Sequence, residues 1–439
     1  MASVQRLMES IIIQGGQSLT GTVEISGAKN AALPLLAAAI LADAPVVYHR
    51  IPHLKDITTM MTLIAHQGAE VTIDDQSRVH IDGRTANRPV APYELVKTMR
   101  ASSLVLGPLL ARFGHANVSL PGGCAIGARP IDMHLKGLEA MGAEIKVEHG
   151  NVEAMAPHGL HGAHIVFEQV TVTGTENLMM AAVLAKGQTV LENSAAEPEV
   201  VNLAEALRGL GAKIEGEGTN RITITGVDRI TGGEITVIPD RIEAATYLAA
   251  GMITGGDVTV TQCQPADLEA FLAHVRAAGA EVEVGEDWIR CAAPSRLRAV
   301  DMSTMPHPGF PTDLQAQFMA MMCLAEGSST ISETIFENRF MHVQELARMG
   351  ANIHLDGHLA VVRGIQQLSG AKVMATDLRA SASLVLAGLA AEGETHISRV
   401  YHIDRGYERI EEKLRKLGAS IERHSGHEQM ISPVVNFHV

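Results

Sequence analysis

Aromatic side chains are nearly missing: one Trp, five Tyr and eight Phe make up 3% of 439 residues. Any core must therefore be built from Ala, Leu, Val, Ile and Met, which suits close helix-on-sheet packing better than an aromatic-rich sandwich. Cysteine is scarce as well. Cys124, Cys263, Cys291 and Cys323 form no C-x-x-C pair, which speaks against a zinc ribbon or a dithiol redox centre. Thiols this sparse fit a reducing compartment. Positive charge falls short of negative, 35 Lys and Arg against 49 Asp and Glu, for a formal charge of −14. Such a surface repels phosphate backbones, so nucleic acid is not an expected partner. An anionic small substrate would need a basic cluster held against the global sign. Long apolar runs are absent too. The stretch Leu35 to Ala42 is bounded by Pro34 and Asp43, too short to cross a bilayer. The opening MASVQRLMES has no apolar signal region. The expected setting is cytoplasmic, with no membrane association. There is no P-loop, no G-x-G-x-x-G after a strand and no H-E-x-x-H. His53, His66, His134 and His342 lack ligand spacing. They are expected as surface residues or polar contacts, and no metal is expected.

What is present is an apolar majority and a repeat. Hydrophobic residues are 46% and charged residues 19%, enough for about three domains or two large ones at this length. A Gly-Ala-x-Val/Ile element recurs six times, at Gly68, Gly142, Gly211, Gly279, Gly350 and Gly418, spaced 68 to 74 residues apart. Glycine after a helix takes the left-handed cap without steric cost, and the branched residue that follows starts a strand. The sixth copy reads as a strand at 372–376, an Ala/Leu-rich helix at 377–392 and a strand at 395–400. An amphipathic helix follows at 407–417, then strands near Ile421 and Met430. The order is β-α-β-α-β-β, and the third copy repeats it from His164 to Val227. The first helix of each unit is apolar all round, as in 30–42, 178–185 and 381–391, so it belongs inside a bundle. Six copies could close one ring or form two groups of three. Length favours two groups, each with helices inside and sheets outside.

Four segments carry chemistry. Ser26-Gly27-Ala28-Lys29-Asn30 puts a lysine at a helix start, where the dipole disfavours it unless an anion binds there; a solvated lysine is the alternative. Pro121 to Pro130 holds three glycines around Cys124 and Arg129. That composition suggests a mobile loop or lid whose arginine would favour a thiolate or bind an anion; a turn with an incidental free thiol is the alternative. Pro308-Gly309-Phe310-Pro311-Thr312-Asp313 precedes a helix. A helix cap is the commoner role for Asp313 there, and a general base the other. Arg339, Arg379 and Arg405 form a basic set, and Arg379 aligns with Arg100 in a shared Arg-Ala-Ser. Arginine grips phosphate or carboxylate bidentately; weak surface salt bridges are the alternative.

Four strings, at 26–34, 120–130, 310–318 and 377–388, make the chain resemble the enolpyruvyl transferases of peptidoglycan synthesis, from about Ile11 to Arg423. The resemblance implies an α/β enolpyruvyl transferase fold: two pseudo-threefold inside-out domains built from six β-α-β-α-β-β units. One domain would combine 1–28 with 239–439, and the other would span 29–238. The implied reaction moves the enolpyruvyl group of phosphoenolpyruvate to the 3-hydroxyl of UDP-N-acetylglucosamine. It proceeds by addition and elimination through a tetrahedral ketal, without cofactor or metal, in a monomer. By the same resemblance Cys124 is the acid and can attach covalently to phosphoenolpyruvate or to a fosfomycin-type epoxide, and Asp313 is the base. Lys29, Arg129 and Arg405 hold phosphate, with Arg339 and Arg379 near the carboxylate. Asn30, Arg100, Pro130, Ile131, Asp132, Met133, His134, Thr171, Thr173, Ile335 and Asp377 complete the substrate contacts. Gln169 stands where some relatives carry a lysine near the diphosphate. A sister activity on shikimate 3-phosphate, or a non-catalytic sugar-nucleotide binder, are the competing readings. The Cys124 loop argues against the first, and the joint presence of Cys124, Asp313, Lys29 and Arg405 against the second.

Overall fold

Each of the six repeat glycines holds a positive φ, between 94° and 108°, the region that a side chain strains. A strand follows every one: Glu70–Ile73, Glu144–Glu148, Lys213–Glu215, Glu281–Val284, Asn352–Asp356 and Ser420–Ser425. The computed structural model describes residues 9–97, 99–120 and 131–425. They form six four-stranded sheets. The third unit runs in the predicted order: His164–Val166, Val172–Val183, Gln188–Glu192, Pro198–Gly209, Lys213–Glu215 and Arg221–Thr225. Gln188–Glu192 pairs in parallel with His164–Val166 and antiparallel with Arg221–Thr225, which closes a hairpin with Lys213–Glu215.

Three sheets depart from a simple reading of the repeat. The sheet of Val46–His49 takes its parallel partner from Gly233–Thr236, and that of Asp257–Thr261 takes its own from Thr20–Glu24. Two units therefore complete themselves with a strand from far along the chain. In the sixth, the strand expected near Met430 lies outside the described residues. The place beside Ser420–Ser425 belongs to Glu9–Gln14, antiparallel to both that strand and Glu394–Ser398. Its alternation explains the fit: Ile11 and Ile13 are fully buried, one face of a strand with period two. The helix expected at 407–417 begins later, at Ile410–Lys416, after a 3-10 turn at Val400–Arg405.

The central helices are Lys29–Ala38 (α1), Leu106–Phe113 (α2), Val172–Val183 (α3), Arg241–Ile253 (α4), Gln315–Met322 (α5) and Ala380–Ala390 (α6). In α4 every residue from Ile242 to Ile253 is buried. Alanine-rich surfaces let three such helices approach closely inside their sheets. One hydrophobic cluster runs from Ala28 to Val237. The other unites Ile11 to Ile25 with Ile242 to Ile421. The chain passes between them twice, and the two crossings pair: Ala28 N–H donates to Ile238 (2.7 Å) and Asp240 N–H to Ser26 (2.9 Å). Gly27 is required there, since a Cβ would lie 1.8 Å from the Arg50 carbonyl oxygen.

Two glycines separate the reasons for glycine. Gly211 has φ +108° and open space around a would-be Cβ, whereas at Gly226 that Cβ would meet the Ala185 oxygen at 1.6 Å. Gly211→Ala should cost about 1 kcal/mol and Gly226→Ala about 3 kcal/mol. Urea unfolding reads both, and equal losses would contradict this assignment.

Candidate active site

The start of α1 gathers two charge clusters. Lys29 is its first residue, and Nζ donates to Asp56 Oδ2 at 3.0 Å. Asp56 lies in the first turn of the helix Lys55–His66. It also accepts from Arg405 Nε at 2.9 Å and Nη2 at 3.3 Å. Arg405 ends the 3-10 turn of the sixth unit, so this clamp joins the two hydrophobic clusters. Lys29 is 5% exposed, which rules out a solvated lysine. Burial lowers its pKa, Asp56 opposes the shift, and Arg379 and Arg405 add to it. Burial pushes the Asp56 carboxyl up, but the Lys29 and Arg405 charges outweigh it and hold the group below its ordinary range.

The neighbouring residue reaches the second cluster. Asn30 Nδ2 donates to Asp313 Oδ2 at 3.3 Å, and Arg339 Nη2 donates to Asp313 Oδ1 at 2.7 Å. Arg379 Nε stands 3.8 Å from Asp313 Oδ2. The cap reading of Asp313 is therefore corrected. It sits in a 3-10 turn, Thr312–Leu314, ahead of α5, and the carboxylate turns to side-chain donors. Arg339 and Arg379 are buried, so they are not surface salt-bridge residues. Arg339 also donates to Thr312 Oγ1 (2.9 Å), which in turn donates to Glu333 (2.9 Å). Glu333 accepts the Ile335 N–H at 2.9 Å, fixing the turn that leads to Arg339. Asp377 Oδ1 takes the N–H groups of Arg379 and Ala380 at the head of α6.

A further group lies within 29–238. His134 Nδ1 meets Asn177 Nδ2 at 2.9 Å, and Nε2 meets Thr173 Oγ1 at 3.4 Å. Since the amide nitrogen donates, Nδ1 accepts, and the ring proton sits on Nε2. Burial pushes the His134 pKa down to about 4. Thr171 Oγ1 caps α3 through Gly174 N–H (3.1 Å). Ile131 precedes the helix Asp132–Ala140, which Asp132 and Met133 open. Arg100 begins the 3-10 turn Arg100–Val105, ahead of α2 as Arg379 is of α6. Cys124, Arg129 and Pro130 lie outside the described residues.

Sequence reasoning missed Asp56, Asp240 and Glu333. Asp56 and Asp240 carry only an ordinary signal, an acid at a helix start, which capping explains by itself. One histidine is corrected. His342 is fully buried, and neither ring nitrogen has a hydrogen-bond partner among the described residues. Burial, opposed by Asp377 and reinforced by Arg339, pushes its pKa down to about 4. The folded chain keeps it neutral while the unfolded chain takes up a proton below about pH 6.5. Stability is full above that pH and falls as pH drops toward 4. His342→Leu should reduce the stability lost between pH 7 and pH 5 by about 2 kcal/mol. Urea unfolding at both values checks it, and an unchanged pH slope would refute it.

Comparison with known proteins adds sequence and fold relatives. A family model described as EPSP synthase (3-phosphoshikimate 1-carboxyvinyltransferase) matches residues 13–414. A UDP-N-acetylglucosamine 1-carboxyvinyltransferase of Magnetococcus marinus is 60% identical over 417 residues, covering 95% of this chain and 99% of that protein. The crystal structure of the enolpyruvyl transferase NikO from Streptomyces tendae matches with TM-score 0.85 at 27% identity, over 94% of this chain and 98% of that one. EPSP synthase from Acinetobacter baumannii matches with TM-score 0.75 at 18% identity, over 95% and 99%, a likeness of fold.

Proposed function

The chain belongs to the EPSP synthase family and has its two-domain enolpyruvyl transferase fold, and from that premise we propose the reaction it performs. It transfers the enolpyruvyl group of phosphoenolpyruvate to the 3-hydroxyl of UDP-N-acetylglucosamine and releases phosphate. The observation that carries this choice of acceptor is the 60% identity, over nearly the whole chain, to a protein named for that reaction. The family model's own description names a different acceptor, shikimate 3-phosphate. The Cys124 loop favours the sugar nucleotide. In this reading the enzyme works in the cytoplasm as a monomer, at the first committed step of peptidoglycan synthesis. Among the described residues no helix is long and apolar enough to cross a membrane. The two hydrophobic clusters support a division into 1–28 plus 239–439 and 29–238.

The cleft chemistry follows from its charges. Lys29 and Arg405, with Arg129, take the donor phosphate; Arg379 and Arg339 face the donor carboxylate. Preorganised cations at a poorly hydrated site stabilise charge where it develops, without reorganising during the reaction. Asp313, held by Arg339 and Asn30, accepts the proton of the sugar hydroxyl as its oxygen attacks C2 of the donor. Cys124 delivers a proton to the methylene carbon, and the product of addition is the tetrahedral ketal. In the elimination the Cys124 thiolate takes a proton from C3, the C2–O bond to phosphate breaks, the C2–C3 double bond re-forms, and Asp313 passes its proton to the departing phosphate. Asn30, Arg100, Arg129 to His134, Thr171, Thr173, Ile335 and Asp377 serve substrate binding.

Phosphate release from phosphoenolpyruvate should require UDP-N-acetylglucosamine and fail with shikimate 3-phosphate. Asp313→Ala should lower that release by about a hundredfold or more with the fold intact. Release with shikimate 3-phosphate alone would overturn the acceptor. A near-normal rate for Asp313→Ala would remove it from the chemistry.

A further inference from the structure

The second crossing between the two clusters ends at Asp240, the residue before α4. Its two carboxylate oxygens do different work. Oδ1 accepts the N–H groups of Ile242 (2.9 Å) and Glu243 (3.0 Å), capping the helix. Oδ2 accepts Nη2 of Arg379 at 2.9 Å. The Asp240 N–H donates to Ser26 on the first crossing. The residue that neutralises Arg379 is thus part of the junction itself.

Three contacts fix the guanidinium. Asp240 holds Nη2, the Gly406 carbonyl oxygen holds Nη1 at 2.9 Å, and the Tyr407 ring lies 5.1 Å from the central carbon. What remains is Nε, buried and without a hydrogen-bond acceptor among the described residues. The Asp313 oxygen at 3.8 Å is too far for a hydrogen bond. A buried N–H left in that state is costly, and an anionic oxygen would relieve it. The same geometry contains a competitor. Without the charge on Asp240, Arg379 is free to close on Asp313, which would withdraw both the cation and the base.

We propose that Asp240 is a positioning residue for the donor: it aims the free Nε edge of Arg379 at the donor carboxylate and keeps that guanidinium off Asp313. This rests on the reading of Arg379 given above.

The test uses Asp240→Asn and Asp240→Ser. Both keep an oxygen suited to capping α4 and remove the anion that holds Arg379. Phosphate release is measured against each substrate in turn, with melting temperature alongside. KM for phosphoenolpyruvate should rise about ten- to hundredfold in both variants, while KM for UDP-N-acetylglucosamine stays within about twofold. In an Arg379→Lys background, Asp240→Asn should add little, because its effect runs through Arg379. An unchanged KM for phosphoenolpyruvate in an active variant overturns the inference and leaves the reaction intact. So does a parallel loss in both KM values with a lowered melting temperature, which marks a structural role. A wild-type protein that releases no phosphate with either acceptor overturns the reaction and this inference together.

Discussion

Buried positive charge between the two halves is the constraint on which this molecule turns. A chain with formal charge −14 nevertheless sinks Lys29, Arg339 and Arg379 below 6% exposure. Burying a cation is expensive unless a carboxylate accompanies it. Each has one: Asp56 for Lys29, Asp313 for Arg339 and Asp240 for Arg379. The partners are shared between the halves, since Asp56 also holds Arg405, and Asp313 also meets Asn30. Arg241 and Glu199 repeat the arrangement nearby. The carboxylates that make Lys29 and Arg339 tolerable therefore also link the two halves, through Asp56–Arg405 and Asn30–Asp313. These contacts gather Lys29, Arg339, Arg379 and Arg405 around two carboxylates, Asp56 and Asp313, in a chain that is acidic as a whole.

The architecture was legible because its punctuation is local. A glycine after a helix and a branched residue after the glycine encode cap and strand within four residues, six times over. Strand exchange was not legible. Gly233–Thr236, Thr20–Glu24 and Glu9–Gln14 have ordinary strand patterns, and an alternating pattern says which face is buried without naming the neighbour. The sixth sheet shows the consequence: Glu9–Gln14, distant in sequence, lies between Glu394–Ser398 and Ser420–Ser425.

The site divides in the same way. Lys29 stood out because a lysine at a helix start is unfavourable without an anion, Arg379 because it repeats Arg100 in a shared Arg-Ala-Ser, and Arg339 and Arg405 as members of the same basic set. Asp56 and Asp240 did not, because an acid at a helix start is the default. That default misled in both directions. Asp313 read first as a cap and is turned to Arg339 instead, while Asp240 and Asp377 do cap helices. Asp240 then uses its second oxygen on Arg379. Only tertiary placement separates a carboxylate that caps from one that also holds a buried cation.

The clamped cations are held ready for an anion and are not merely structural. Calorimetric titration of inorganic phosphate into the wild-type protein and Arg405→Gln, with UDP-N-acetylglucosamine present, tests it most directly. Phosphate affinity should be at least about tenfold weaker in the variant, from loss of a charge-assisted contact. Equal affinities, in proteins of equal melting temperature, would make the Asp56–Arg405 pair a structural tie and contradict it.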